Sequence, residues 1–118
     1  SPAVLQAASD KGIYAFGNTT DQLNIAPKTV LTSALKRIDL AIAFLAEQAK
    51  NGQIKGQTYA LGLARPDTLS LGKFGQMVPE ALQKKVLDTK QGIIDNKITF
   101  ENCQEGGKET RCVKSATT

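Results

Sequence analysis

Apolar positions along the chain change period several times, and each change marks an element. Ser1 followed by Pro2 fits a helix start, because proline at the first helical position loses no hydrogen bond. Val4, Leu5 and Ala8 then share one helical face, and Gly12 is a natural stop. The short apolar run Ile13-Tyr14-Ala15-Phe16-Gly17 predicts a buried parallel strand. It passes directly into the polar segment Asn18-Thr19-Thr20-Asp21-Gln22. A second strand is predicted over Thr29-Val30-Leu31-Thr32-Ser33-Ala34-Leu35, whose start is β-branched. From there Ile38, Ala41, Ile42, Leu45 and Ala49 fall on one stripe of a helix that Asn51-Gly52 ends.

Further along, Thr58–Leu63 and Thr68–Phe74 are two strand candidates around Arg65-Pro66-Asp67, the second with the alternation of an edge strand. Val78-Pro79-Glu80 opens another helix, with Leu82, Val86 and Ile93 on its expected buried face and a frayed end near Asp95-Asn96. Gly92 inside that helix costs about 1 kcal/mol relative to alanine. Beyond Phe100 the only large apolar side chain is Val113, so residues 101–118 read as a polar tail with disorder as its default. Cys103 and Cys112 bracket Gly106-Gly107 within that tail. Two readings stand: a disulfide hairpin, worth about 2.5–3 kcal/mol by chain entropy and implying an oxidising compartment, or two free thiols.

Composition narrows the chemistry. The 118 residues suffice for one domain, and no apolar run is long enough for a membrane-spanning helix. Histidine is absent, which removes imidazole bases, histidine-dependent triads and histidine-ligated metals. Two cysteines are too few for a four-thiolate zinc site. Fifteen basic against eleven acidic residues give a net charge of +4. The bases are scattered, with Lys36-Arg37 and Lys84-Lys85 the only adjacent pairs, and no stacking strand or finger accompanies them. Nucleic-acid binding is therefore not expected. No phosphate-cradling glycine loop and no paired carboxylates are found, so a flavodoxin-like enzyme or regulatory domain is the weaker rival, and a self-contained oligomerisation module is another.

The segment Gly12 to Gln22, with Ala26-Pro27-Lys28-Thr29-Val30-Leu31-Thr32-Ser33-Ala34-Leu35 and the later Gly75-Gln76-Met77-Val78-Pro79-Glu80, resembles the basic membrane protein family. These are lipoprotein solute-binding components of ABC transporters, among them the purine-nucleoside receptors. The resemblance covers roughly residues 1–100 and leaves out the tail from Glu101. It implies an α/β fold, a three-layer parallel-sheet lobe belonging to the two-lobed periplasmic binding protein type I architecture. Residues 1–100 would form the end of one lobe, the last hinge crossing near 29–36 and the return to the other lobe. The chain begins Ser1-Pro2-Ala3-Val4 without an initiator methionine, and the remaining N-terminal portion, with its lipid anchor, is expected upstream.

By the same resemblance the function is capture of a small polar ligand, a purine nucleoside, by lobe closure, without catalysis or cofactor. The partners are that ligand and the transporter permease, at the periplasm or cell surface. Family members carry Gly-x-Asp-x-Asp-Gln at the end of the first strand. Here Gly17-Asn18-Thr19-Thr20-Asp21-Gln22 keeps Asp21 and Gln22 but has Thr19 in place of the acid that accepts ribose hydroxyls. Threonine offers one neutral hydroxyl where a carboxylate takes two, and the Asn18 amide can compensate. Lys36 in Thr32-Ser33-Ala34-Leu35-Lys36 matches the lysine that reaches into the cleft. The candidate ligand-binding residues are thus Asn18, Thr19, Asp21, Gln22 and Lys36.

Overall fold

A computed structural model describes the backbone of residues 1–105 and 108–114, and side chains through residue 101. The chain divides into two compact units, Ser1–Pro79 and Glu80–Thr118.

The first unit opens with α1 (Pro2–Asp10), capped by Ser1 and carrying proline in its first turn. Gly12 follows at φ 64°, a left-handed conformation that glycine adopts at no steric cost. Leu5 and Ala8 are the buried residues of α1. Strand β1 (Ala15–Thr19) lies beside β2 (Val30–Lys36) in parallel, with Ala15 opposite Val30 and Thr19 opposite Leu35. Leu5, Ala26 and Val30 form the buried core cluster, joined by half-buried Ala15 and Leu23. The mixed α/β class and the parallel pair follow the expectation.

Three details depart from it. The first strand starts two residues later than its apolar run, leaving Ile13 and Tyr14 outside and Phe16 69% exposed. As the edge strand of its sheet β1 has a partner strand on one side alone among the described residues, and it buries only Gly17. Secondly, the sheet is not parallel throughout: the three-residue β3 (Leu69–Leu71) pairs antiparallel to β2, Leu71 opposite Ala34. Thirdly, Thr58–Leu63 forms no strand. The sheet order is β1-β2-β3, so β2 is already flanked on both edges. The turn around Pro66 uses the neighbouring backbone groups, with Arg65 N–H on Gly62 C=O and Thr68 N–H on Arg65 C=O, each at 2.9 Å.

Helix α2 (Ile38–Lys50) has the predicted bounds, but none of its residues is buried. Its half-buried side is Leu40, Ala41, Phe44, Leu45 and Gln48, while Ile38 and Ile42 of the predicted stripe are 60% and 63% exposed. The Arg65 guanidinium stacks 4.0 Å above the Phe44 ring, a cation–π contact on that half-buried side.

The second unit begins with α3 (Glu80–Ile94), ending as expected before Asn96, which takes φ 57°. A Cβ at Gly92 would lie 2.9 Å from Ile98 Cδ1, the movable end of that side chain, and the Gly92 carbonyl accepts the N–H groups of Lys97 and Ile98. Disorder does not hold for the whole tail. The backbone of β4 (Thr99–Glu105) and β5 (Lys108–Lys114) forms an antiparallel ladder, because cross-strand hydrogen bonding replaces a core as the ordering interaction. Its register sets Cys103 opposite Thr110 and Cys112 opposite Glu101. The disulfide expected between these cysteines concerns side chains outside the described residues.

Candidate functional site

The carboxyl ends of parallel strands collect loops that share one edge of the sheet, the usual place for ligands in open α/β sheets. Here β1 ends at Thr19 and β2 at Lys36, with Thr19 opposite the residue just before Lys36.

The loop after β1 is held by its own side chains. Asp21 Oδ1 accepts the Leu23 N–H at 3.1 Å, a turn that Asp forms readily two residues on. Asp21 Oδ2 accepts the Lys73 N–H at 3.0 Å and so ties the loop to the chain just after β3. Gln22 is buried; its Oε1 accepts the Asn18 N–H at 2.9 Å, and its own N–H donates to Ser33 Oγ at 3.1 Å. Gly17 is required beneath this network, because a Cβ would lie 2.9 Å from Ser33 Cβ and closer still to its hydroxyl. Asp21 and Gln22 are therefore engaged with the chain's own backbone, and Ser33, fully buried, is the structural residue that the sequence reading missed. Its signal was the Thr32-Ser33 pair inside an apolar strand, a polar group that must find a partner when buried.

Asn18, Thr19 and Lys36 are exposed. Thr19 stands at φ 74°, and the Thr20 N–H donates to Asn18 C=O at 2.9 Å across it, a γ-type turn. A β-branched residue in that region is strained by about 1–3 kcal/mol, and such strain concentrates at functional sites. The structure thus brings Thr19 and Lys36 to one strand-end edge, with Asn18 adjoining.

Lys36 also borders a cavity of about 270 Å³ on the other side of β2, together with Arg37, Ile38, Ala41, Leu61, Thr68 and Leu69. The Arg37 N–H donates to Thr68 C=O at 2.9 Å and closes one wall. Its guanidinium grips Asp39, with Nη2 2.6 Å from Oδ2 and Nε 2.9 Å from Oδ1. These hydrogen bonds hold the Asp39 carboxyl below its usual range and raise Arg37. The Asp67 carboxyl is likewise lowered by its hydrogen bond from Arg65. Lys36 has no carboxylate within ion-pair distance among the described residues. Among them there is also no metal-binding cluster of three or more Cys, Asp or Glu residues.

The strand ends of this small α/β unit thus present exposed amide, hydroxyl and ammonium groups from Asn18, Thr19 and Lys36. The family description ABC transporter substrate-binding protein PnrA-like (Bmp) matches residues 1–104, and the chain belongs to that family. It is 31% identical over 83 residues to the transcriptional activator protein med of Bacillus subtilis (strain 168), an alignment covering 70% of this chain. The solved transcriptional activator of the comK gene from Bacillus halodurans shares the fold at TM-score 0.70 and 23% identity, over 79% of this chain and 32% of that one. A solute-binding protein of an ABC transporter system from Aeropyrum pernix K1 shares it at TM-score 0.61 and 19% identity, over 88% of this chain and 37% of its own. The chain spans about a quarter of the length of the curated relative it matches, 26%.

Proposed function

We propose that the chain acts within a substrate-binding component of an ABC transporter, capturing a small polar ligand of the purine-nucleoside type. The observation that carries this reading is strained Thr19 at the end of β1, opposite the residue before Lys36, which has no ion-pair partner among the described residues. Membership of the substrate-binding family supports it. In this reading β2 is the last hinge crossing, so closure of the lobes moves groups at its end relative to those at the end of β1. The protein binds and releases without catalysis, works outside the cytoplasm, and hands its ligand to the permease. Asn18, Thr19 and Lys36 face the ligand; Asp21 and Gln22 shape the loop that presents them.

The exposed apolar side chains Tyr14, Phe16, Ile38 and Ile42 fit the same reading. A substrate-binding protein of the resembled architecture has further chain to cover them. Calorimetry is the test. Saturable binding of a purine nucleoside or its derivative at micromolar affinity, reduced by Lys36→Ala, is expected. Absence of heat with every nucleoside and nucleoside phosphate overturns the ligand assignment.

A second reading has its own observation, since two relatives are named transcriptional activators. In that reading the same ligand site serves regulation rather than transport. Loss of a reporter's transcription without loss of ligand uptake, on deleting the gene, would favour it.

A further inference from the structure

The cavity beside Lys36 has an uneven charge inventory. Two bases, Lys36 and Arg37, border it, and among the described residues no acid does. The acids nearest in sequence, Asp39 and Asp67, are each spoken for: Asp39 by Arg37 at 2.6 Å and Asp67 by Arg65 at 3.1 Å. Both carboxyls are held ionised by those partners, so neither is free to turn toward Lys36 as a counter-ion. On the β1 side the strand end is neutral, with Asn18, Thr19 and Thr20, and the Asp21 carboxylate is turned to the N–H groups of Leu23 and Lys73. Among the described residues, Lys36 is therefore without a counter-ion where the strands end. The remaining wall is apolar, with Leu61 and Leu69 prominent.

We propose that this cavity takes the anionic group, a carboxylate or a phosphate, of a small ligand whose body lies toward the strand ends at Asn18 and Thr19. A bound anion supplies the counter-charge that no described residue gives Lys36, and its hydrogen bonds to the ammonium are charge-assisted and stronger than those of a neutral hydroxyl. The exposed Arg37 guanidinium, using only part of its five donors on Asp39, adds positive potential at the same rim. This rests on the substrate-binding reading and names the ligand class within it: an acidic derivative in preference to the neutral nucleoside.

The test compares three probes with one body and different charge on the purified protein: adenosine, adenosine 5′-monophosphate and 5′-carboxyadenosine. Isothermal calorimetry is expected to show one or both anions binding about tenfold or more tighter than adenosine, as a charge-assisted hydrogen bond warrants. The better anion identifies whether phosphate or carboxylate is recognised. Lys36→Gln is expected to abolish the preference while leaving the thermal midpoint unchanged, since Lys36 is exposed. Adenosine binding as tightly as both anions overturns the proposal and leaves the substrate-binding reading standing, as does a preference that survives Lys36→Gln. No heat with any of the three overturns both.

Discussion

Gly17 and Ser33 face each other across the β1–β2 pair so closely that the serine hydroxyl fills the space a Cβ at position 17 needs. That hydroxyl accepts the Gln22 N–H, so the contact fixes both the strand pair and the loop after it. Gly17→Ala is expected to destabilise the protein by about 2–3 kcal/mol through overpacking. Ser33→Ala is expected to cost about 1–3 kcal/mol by leaving a buried N–H unpaired. Because the residues collide directly, the two sites must couple: Gly17→Ala should cost less in a Ser33→Gly background than alone. Denaturant melts of the four proteins measure this, and simple additivity would contradict the contact.

Asp21 joins the loop to a backbone N–H 52 residues away, at Lys73. Asp21→Ala is therefore expected to lower stability by about 1 kcal/mol, in proportion to exposed hydrogen bonds lost. Ligand affinity should fall far less than in Lys36→Ala. Chemical denaturation and calorimetry on the same variants separate the two effects.

Thr19 gives the opposite sign. Its φ of 74° costs about 1–2 kcal/mol in a residue with a Cβ, against about 0.5–1 kcal/mol of extra chain entropy for glycine. Thr19→Gly is expected to raise stability by about 0.5 kcal/mol while weakening ligand binding. A lower melting midpoint would show that the Thr19 side chain stabilises the fold instead of serving the site.

How far such roles could be read from sequence differs by element. The bounds of α2 follow from a helical stripe and the Asn51-Gly52 stop, both local signals. Strand β2 was legible from its β-branched start. The start of β1 was not, because an apolar run does not reveal which of its residues find a partner strand. Thr58–Leu63 has strand-like composition but meets a sheet whose central strand already has two neighbours. At the site, Asn18 to Gln22 stood out as a polar segment after a strand. That Asp21 and Gln22 hold the loop depends on Lys73, Asn18 and Ser33, and the first and last of these are set by tertiary contact.

Burial also revises α2. Ile42 belongs to the helical stripe yet is 63% exposed within this chain, so Ile42→Lys is expected to change the stability of these 118 residues by no more than about 0.5 kcal/mol. A core position would lose several times that. Equilibrium denaturation decides between them.

The paired acids set the sign of the pH response. Asp39 and Asp67 have carboxyls lowered from 3.8 in the folded state by Arg37 and Arg65. A depressed folded value means their contribution is fully present above the unfolded value and is lost as pH falls through the folded one. Stability should be flat near neutrality and decline below pH 3.8, and Asp39→Asn with Asp67→Asn should shallow that decline. Both pairs are exposed, so the change is small and shrinks with added salt.

In the proposed function Lys36 meets the ligand while Asp21 builds the loop. Calorimetric titration of one nucleoside-type ligand into the parent protein, Lys36→Ala and Asp21→Asn tests it most directly. Saturable binding to the parent is expected, with about tenfold or greater weakening for Lys36→Ala and near-parental affinity for Asp21→Asn. Parental affinity in Lys36→Ala, or its loss in a folded Asp21→Asn protein, contradicts it.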